Sequence, residues 1–180
     1  MANTWILWMS DSGGNETWED SLRQLGVVRT VEEFDDLYNQ HPKLSELIPG
    51  VDYQLFKDGL VPDWNRREQY GNGGRWILDE RQRRGEMWTV DRMWYSVCRA
   101  LIEGRFEAFN EHICGVYGKI RKNTSKVLMW TQNSDFEIEN RAIGRILKSV
   151  VGCDHHEHIV YVRHFNRDGP EWPPKKLYRE

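Results

Sequence analysis

Nine tryptophans in 180 residues constrain this chain more than any other feature of its sequence. Tryptophan is ordinarily buried, wholly or in part, but a core accepts only those that fall on an apolar face. Trp5 and Trp8 do so in the strand-like run Trp5-Ile6-Leu7-Trp8-Met9, Trp76 opens Trp76-Ile77-Leu78, and Trp94 lies on an amphipathic helical stretch. Trp18, Trp64, Trp130 and Trp172 fit less well. Trp18 follows a Gly-Gly-Asn-Glu-Thr turn, Trp64 follows Pro62 and Asp63 in a charged loop, and Trp130 closes a strand that faces arginine and lysine. These four are expected to be available at the surface. An indole face carries negative quadrupole charge, so a pair of them suits a planar, positively charged ring.

The length allows one proper core and is too short for two ordinary domains. No internal repeat, low-complexity block or linker divides the chain. No apolar run approaches a membrane span, and the N-terminus has no basic segment leading into a long apolar one, so the expected location is the cytoplasm, with the nucleus as the alternative. Cys98, Cys114 and Cys153 are odd in number and widely spaced, which fits reduced thiols. The net charge of -3 excludes a chain that coats nucleic acid with a whole basic face. An anionic partner must meet a local cluster, at Lys119, Arg121, Lys122 and Lys126, or at Arg163, Arg167, Lys175 and Lys176. Either cluster alone reads more simply as a solvated rim.

Hydrophobic periodicity predicts a helix capped by Thr30, with Val31, Phe34, Leu37 and Tyr38 at helical spacing and an end near Pro42. Strands are expected over 51–57 and 75–78. A second helix runs from about 90 to 103 with Trp94, Val97 and Leu101 on one face, and a third from about 136 to 151 with Ile138, Ala142, Ile146 and Val150 recurring by fours. Between them, 113–121 and 126–131 read as a hairpin. Alternation puts Tyr117, Lys119 and Arg121 on one face of its first strand, and Lys126, Leu128 and Trp130 on one face of the second. Arg121 and Lys126 flank the turn, so cations at one end and an indole at the other can hold phosphates and a ring.

The run Cys153-Asp154-His155-His156-Glu157-His158 holds metal-ligand residue types, but they crowd into one turn where adjacent side chains point apart, so no metal site is expected. No nucleophile elbow or phosphate-loop glycine motif marks an enzyme. No cofactor is implied.

Several fragments in one order resemble the eukaryotic translation initiation factor 4E family: Thr17-Trp18, Thr30 to Phe34, Asp52 to Gly59, Pro62-Asp63-Trp64, Gly73 to Trp76, Cys114-Gly115, Trp130-Thr131, Ile143-Gly144-Arg145 and Tyr161 to His164. The resemblance runs from about residue 3 to 164. It implies an α+β single domain, a curved antiparallel β-sheet with three helices packed on the convex face, spanning 1–166 and followed by a basic, Pro-rich tail at 167–180. It implies a monomer, outside membranes, that binds the 7-methylguanosine 5′ cap of messenger RNA in translation initiation or its regulation. The methylated base would stack between Trp18 and Trp64, with Trp130 against the methyl group and Arg121, Lys126 and a supporting Arg75 on the phosphates.

The departures from that pattern are specific. The glutamate expected after the second clamp tryptophan is Asn65, and the loop up to Gly73 is one residue longer, so either Asn65 or Glu68 reads the guanine edge, with Glu68 favoured. A further phosphate-loop cation is replaced by Asn123. Arg167, Trp172, Lys175 and Lys176 could supply contacts to nucleotides beyond the cap. On the convex face, where the family takes up a scaffold or repressor helix, the partner surface would include Val31, Asp35, Tyr95 and Arg99. Asp35 stands in place of a tryptophan and Arg99 in place of a leucine, so a partner binds in an altered way or the two charges pair. Two other classes stay open: a reader of another methylated cation, such as methyl-lysine, and a nucleotide hydrolase.

Overall fold

The protein is described here by a computed structural model covering residues 3–11, 17–63, 66–80, 89–153, 157–165 and 176–180, with the Trp18 side chain outside that description. Eight strands form one antiparallel sheet: β1 (Trp5–Asp11), β2 (Arg23–Val28), β3 (Val51–Lys57), β4 (Gly74–Asp79), β5 (Ile113–Arg121), β6 (Thr124–Thr131), β7 (Val160–Arg163) and β8 (Lys176–Arg179). Their spatial order is β2-β1-β3-β5-β6-β4-β7-β8.

Strand alternation divides the side chains between two faces. Trp5, Leu7, Tyr53, Leu55, Val116, Val127, Met129, Trp76, Leu78 and Tyr161 join the main core. Three longer helices cover that face: α2 (Val31–Asn39), α4 (Val90–Ile102) and α5 (Glu137–Val150). Thr30 caps α2 by accepting from Glu33 N, and Glu33 accepts in turn from Arg29 N, while Thr89 caps α4. Trp94, Val97 and Leu101 of α4 are buried as the periodicity requires. The fold class therefore agrees with the expectation.

The buried stripe of α5 differs from the one read by spacing. It is Asn140, Ile143, Gly144 and Leu147, whereas Ile138 is 79% exposed. Trp76 decides this. A Cβ on Gly144 would lie 2.4 Å from Trp76 Cζ2, so only glycine lets the helix settle on the indole, whose Nε1 donates to Asn140 O at 2.9 Å.

Two further differences are local. β6 starts at Thr124, so only Lys122 and Asn123 form the hairpin turn; Arg121 faces Thr124, and Lys126 faces Lys119. Lys176, assigned to the tail, belongs to β8, which pairs with β7 and brings Tyr178 onto Tyr161 at 4.7 Å between ring centroids.

Candidate functional site

The open face has an aromatic end. Phe56, Tyr70, Cys114, Tyr117, Leu128 and Trp130 form a second buried cluster, with Trp8, Leu60 and Ile77 against it. Trp130 lies at its centre, 5.2 Å from Tyr70, 5.3 Å from Phe56, 5.8 Å from a parallel Tyr117, and 4.4 Å from His164. It is fully buried, which corrects the expectation that it stands exposed. The reason lies in the long loop before β4. That loop folds a one-turn helix, α3 (Arg67–Tyr70), and the Tyr70 hydroxyl donates to Val61 O at 2.7 Å, fixing its ring over the indole. Nothing in the charged sequence around Tyr70 signals this.

The other end is ionic. Arg121 holds Asp52 with both guanidinium nitrogens, at 2.6 and 2.8 Å. Asp52 also accepts from Tyr117 Oη at 3.1 Å and from Ile120 N at 3.2 Å. Lys126 pairs with Asp79 at 3.2 Å. Both carboxylates are buried. They were missed as site residues because each looks like one charge at the end of a strand; the alternation that places Gln54 and Ile77 on the open face would have located them.

Arg75 lies between the two ends. It is buried, and its NH1 donates to Arg163 O at 3.1 Å and approaches His164 Nδ1 at 3.3 Å. Burial pulls its pKa down to about 10, still far above neutrality, so it remains a cation. A guanidinium only donates, so Nδ1 of His164 accepts and its ring proton sits on Nε2. Gly73 makes room for that ring: a Cβ there would lie 2.8 Å from His164 Cδ2.

The structure brings Arg75, Arg121, Lys126 and Trp130 to one face, and places Asn123 in the exposed hairpin turn. Trp18 opens α1 (Trp18–Ser21), whose start is capped by Thr17 and whose end is tied to β1 by Asp11 N donating to Ser21 Oγ at 3.2 Å. Trp64 and Asn65 lie outside the described residues, but the chain enters them at buried Asp63 and leaves at Arg66, whose N donates to Asp63 O at 3.3 Å. Glu68 is exposed on α3. Arg167, Trp172 and Lys175 also lie outside, as do Asp154 to His156 of the histidine-rich run, and Lys176 is exposed on β8.

On the helix face a direct Asp35–Arg99 pair, one of the two alternatives, does not form. Tyr95 Oη donates to Asp35 at 2.8 Å, and Arg99 turns to Glu103 at 2.7 Å while its NH1 reaches Tyr95 Oη at 3.5 Å. Spacing explains the choice: Glu103 is one helical turn from Arg99, whereas Asp35 is on another helix. Val31 is half-buried beside them on α2.

A helix-backed antiparallel sheet whose open face joins an aromatic floor to a row of cations is a binding cup of the initiation factor 4E type. The chain belongs to that family: the pattern of Eukaryotic initiation factor 4E matches residues 1–172. Human eukaryotic translation initiation factor 4E is 36% identical over 170 residues, covering 91% of this chain and 75% of the relative. Ascaris suum eIF4E-3, in complex with the m7G cap, superposes with a TM-score of 0.86 at 34% identity, covering 98% of this chain and 94% of the other. Caenorhabditis elegans eIF4E-3, in complex with the 4E-binding protein Mextli and a cap analog, gives 0.80 at 31% identity, with 90% of each chain covered. No described helix is long and apolar enough to cross a membrane.

Proposed function

We propose that this chain binds the 7-methylguanosine 5′ cap of messenger RNA and acts in translation initiation or its regulation, in the cytoplasm and without catalysing a reaction on its ligand. The observation that carries the reading is the open face itself, where the aromatic floor around Trp130 meets the cations Arg121 and Lys126. A methylated purine needs the first and a phosphate chain the second. The cap complexes of Ascaris suum and Caenorhabditis elegans relatives support it.

In this reading Trp18 and Trp64 flank the base. Methylation at N7 gives the ring a delocalised positive charge, so cation–π attraction of up to about 2 kcal/mol adds to stacking of roughly 1–3 kcal/mol per base. Trp130 acts as the floor beneath the slot. Asn65 or Glu68 reads the guanine edge, and a carboxylate does so more strongly because it also attracts the charged base. Arg121 and Lys126 hold the phosphates, Asn123 adds a neutral donor, and Arg75 supports them from beneath. Arg167, Trp172, Lys175 and Lys176 reach nucleotides beyond the cap. Asp52 and Asp79 do not turn the cup into a reader of methylated lysine, because each is already matched by Arg121 or Lys126.

The helix face takes a scaffold or repressor protein through Val31, Asp35, Tyr95 and Arg99, with the Tyr95 hydroxyl standing between the two charged side chains. Such a partner must offer polar groups here, because an apolar anchor would bury the Asp35 carboxylate against little more than the Tyr95 hydroxyl.

The test is capture on immobilised 7-methyl-GTP. The protein is expected to stay bound through a GTP wash and to elute with free 7-methyl-GTP, and Trp64→Ala to flow through. Equal elution by the two nucleotides, or full retention of the variant, would sink the reading.

A further inference from the structure

Register across the middle of the sheet places four ionisable residues in one transverse row. Asp52 of β3 pairs with Lys119 of β5, Lys119 with Lys126 of β6, and Lys126 with Asp79 of β4. Lys119 shares the open face with Tyr117 and Arg121 by alternation. The row therefore reads acid, base, base, acid. Two like charges stand directly opposite one another at its centre, an arrangement that costs stability.

The two acids are not free to relieve it evenly. Arg121 occupies both oxygens of Asp52, and Lys126 takes Asp79. Among the described residues, no carboxylate lies within ion-pair distance of Lys119, and no hydrogen bond holds its ammonium. Lys119 itself is half-buried. Burial first and Arg121 second pull its pKa below the ordinary lysine range; Asp52 opposes them, and Arg75 and Lys126 add to them. An ammonium crowded by three cations, with no carboxylate at ion-pair distance among the described residues, gains most from an anion brought by a ligand.

We propose that Lys119 contacts the phosphates of the bound nucleotide, carrying the one charge in this row that no carboxylate of the row has taken. This rests on the cap-binding reading and adds a residue that the resemblance does not assign. Arg121 and Lys126 each share their charge between phosphate and an aspartate in an ion pair, whereas Lys119 makes no ion pair with either aspartate of the row. The row explains why a like-charged pair is tolerated at the centre of the sheet: the ligand completes it.

Calorimetric titration of the full chain with 7-methyl-GTP and with phosphate-free 7-methylguanosine tests this. Lys119→Gln is expected to weaken 7-methyl-GTP binding about tenfold, the scale of one charge-assisted hydrogen bond, and to leave 7-methylguanosine binding unchanged. Unchanged 7-methyl-GTP affinity overturns the assignment. So does an equal loss for both ligands, which would mark a structural role. A wild-type chain that binds neither would overturn the cap reading along with it, a distinguishable result. Should the variant fail to fold, the wild-type protein labelled with 15N-lysine decides: the Lys119 Nζ signal must move with 7-methyl-GTP and stay in place with 7-methylguanosine, and an unmoved signal with the nucleotide refutes the contact.

Discussion

His164 lies against both Trp130 and Arg75. Its ring is 4.4 Å from Trp130 and its Nδ1 meets Arg75 at 3.3 Å, so it links the aromatic floor to the cation that stands between the two ends of the cup. Burial first, then Arg75, hold its pKa well below the ordinary imidazole value. It is therefore neutral in the fold, while in the unfolded chain it gains a proton as pH drops below about 6.5. Because the unfolded state then binds more protons, stability is fully present above that pH and is lost as pH falls towards the folded value. His164→Gln removes the titration. Urea midpoints at pH 7 and pH 5 should fall further apart for wild type than for the variant; equal differences would refute the argument. The same neutrality matters in the cup, since a charged imidazole beside Arg75 would repel a cationic base.

At the scale of elements, α5 and β4 are fitted through Trp76 and Gly144. Alanine is the better helix former by up to about 1 kcal/mol, so Gly144→Ala would stabilise an isolated helix. Here the added methyl meets a rigid ring at 2.4 Å, and the ring is fixed by its bond to Asn140 O. We expect net destabilisation of about 1–3 kcal/mol, read as a lower melting temperature; an unchanged or raised one would show that the helix simply shifts. Spacing alone favoured Ile138, Ala142, Ile146 and Val150 because it counts apolar side chains. A glycine and an asparagine in the contact carry no such signal, although they decide which face turns inward. Helix α4 was legible for the opposite reason, because Trp94, Val97 and Leu101 are large, apolar and buried.

At the scale of the molecule, β8 forms one edge of the sheet. Tyr178 stacks on Tyr161, lies under the Arg141 guanidinium at 4.7 Å, and meets Trp76 at 5.7 Å; Glu180 accepts from Arg141 at 2.8 Å. These contacts hold β8 and α5 to the same edge. Deleting residues 176–180 should lower the melting temperature by on the order of 5 °C or more, because a buried tyrosine and two strand bonds to Ile159 are lost. Binding of 7-methyl-GTP should persist, since the ionic row lies on β3, β5, β6 and β4. A truncated chain as stable as the whole would mean that β8 adds nothing.

The fold class, the three longer helices, the central hairpin with its cations on one face, and the family were all legible in the order of the residues. Each of those is written in local periodicity or in an ordered series of short motifs, which survive without knowledge of what lies across the sheet. Tertiary structure alone decided that Trp130 is covered, that Arg121 and Lys126 are matched to Asp52 and Asp79, that Lys119 is left between them, and that Tyr95 separates Asp35 from Arg99. Those outcomes depend on cross-strand register and on which of several charges reaches a partner first. Neither is a property of any stretch of the chain taken alone.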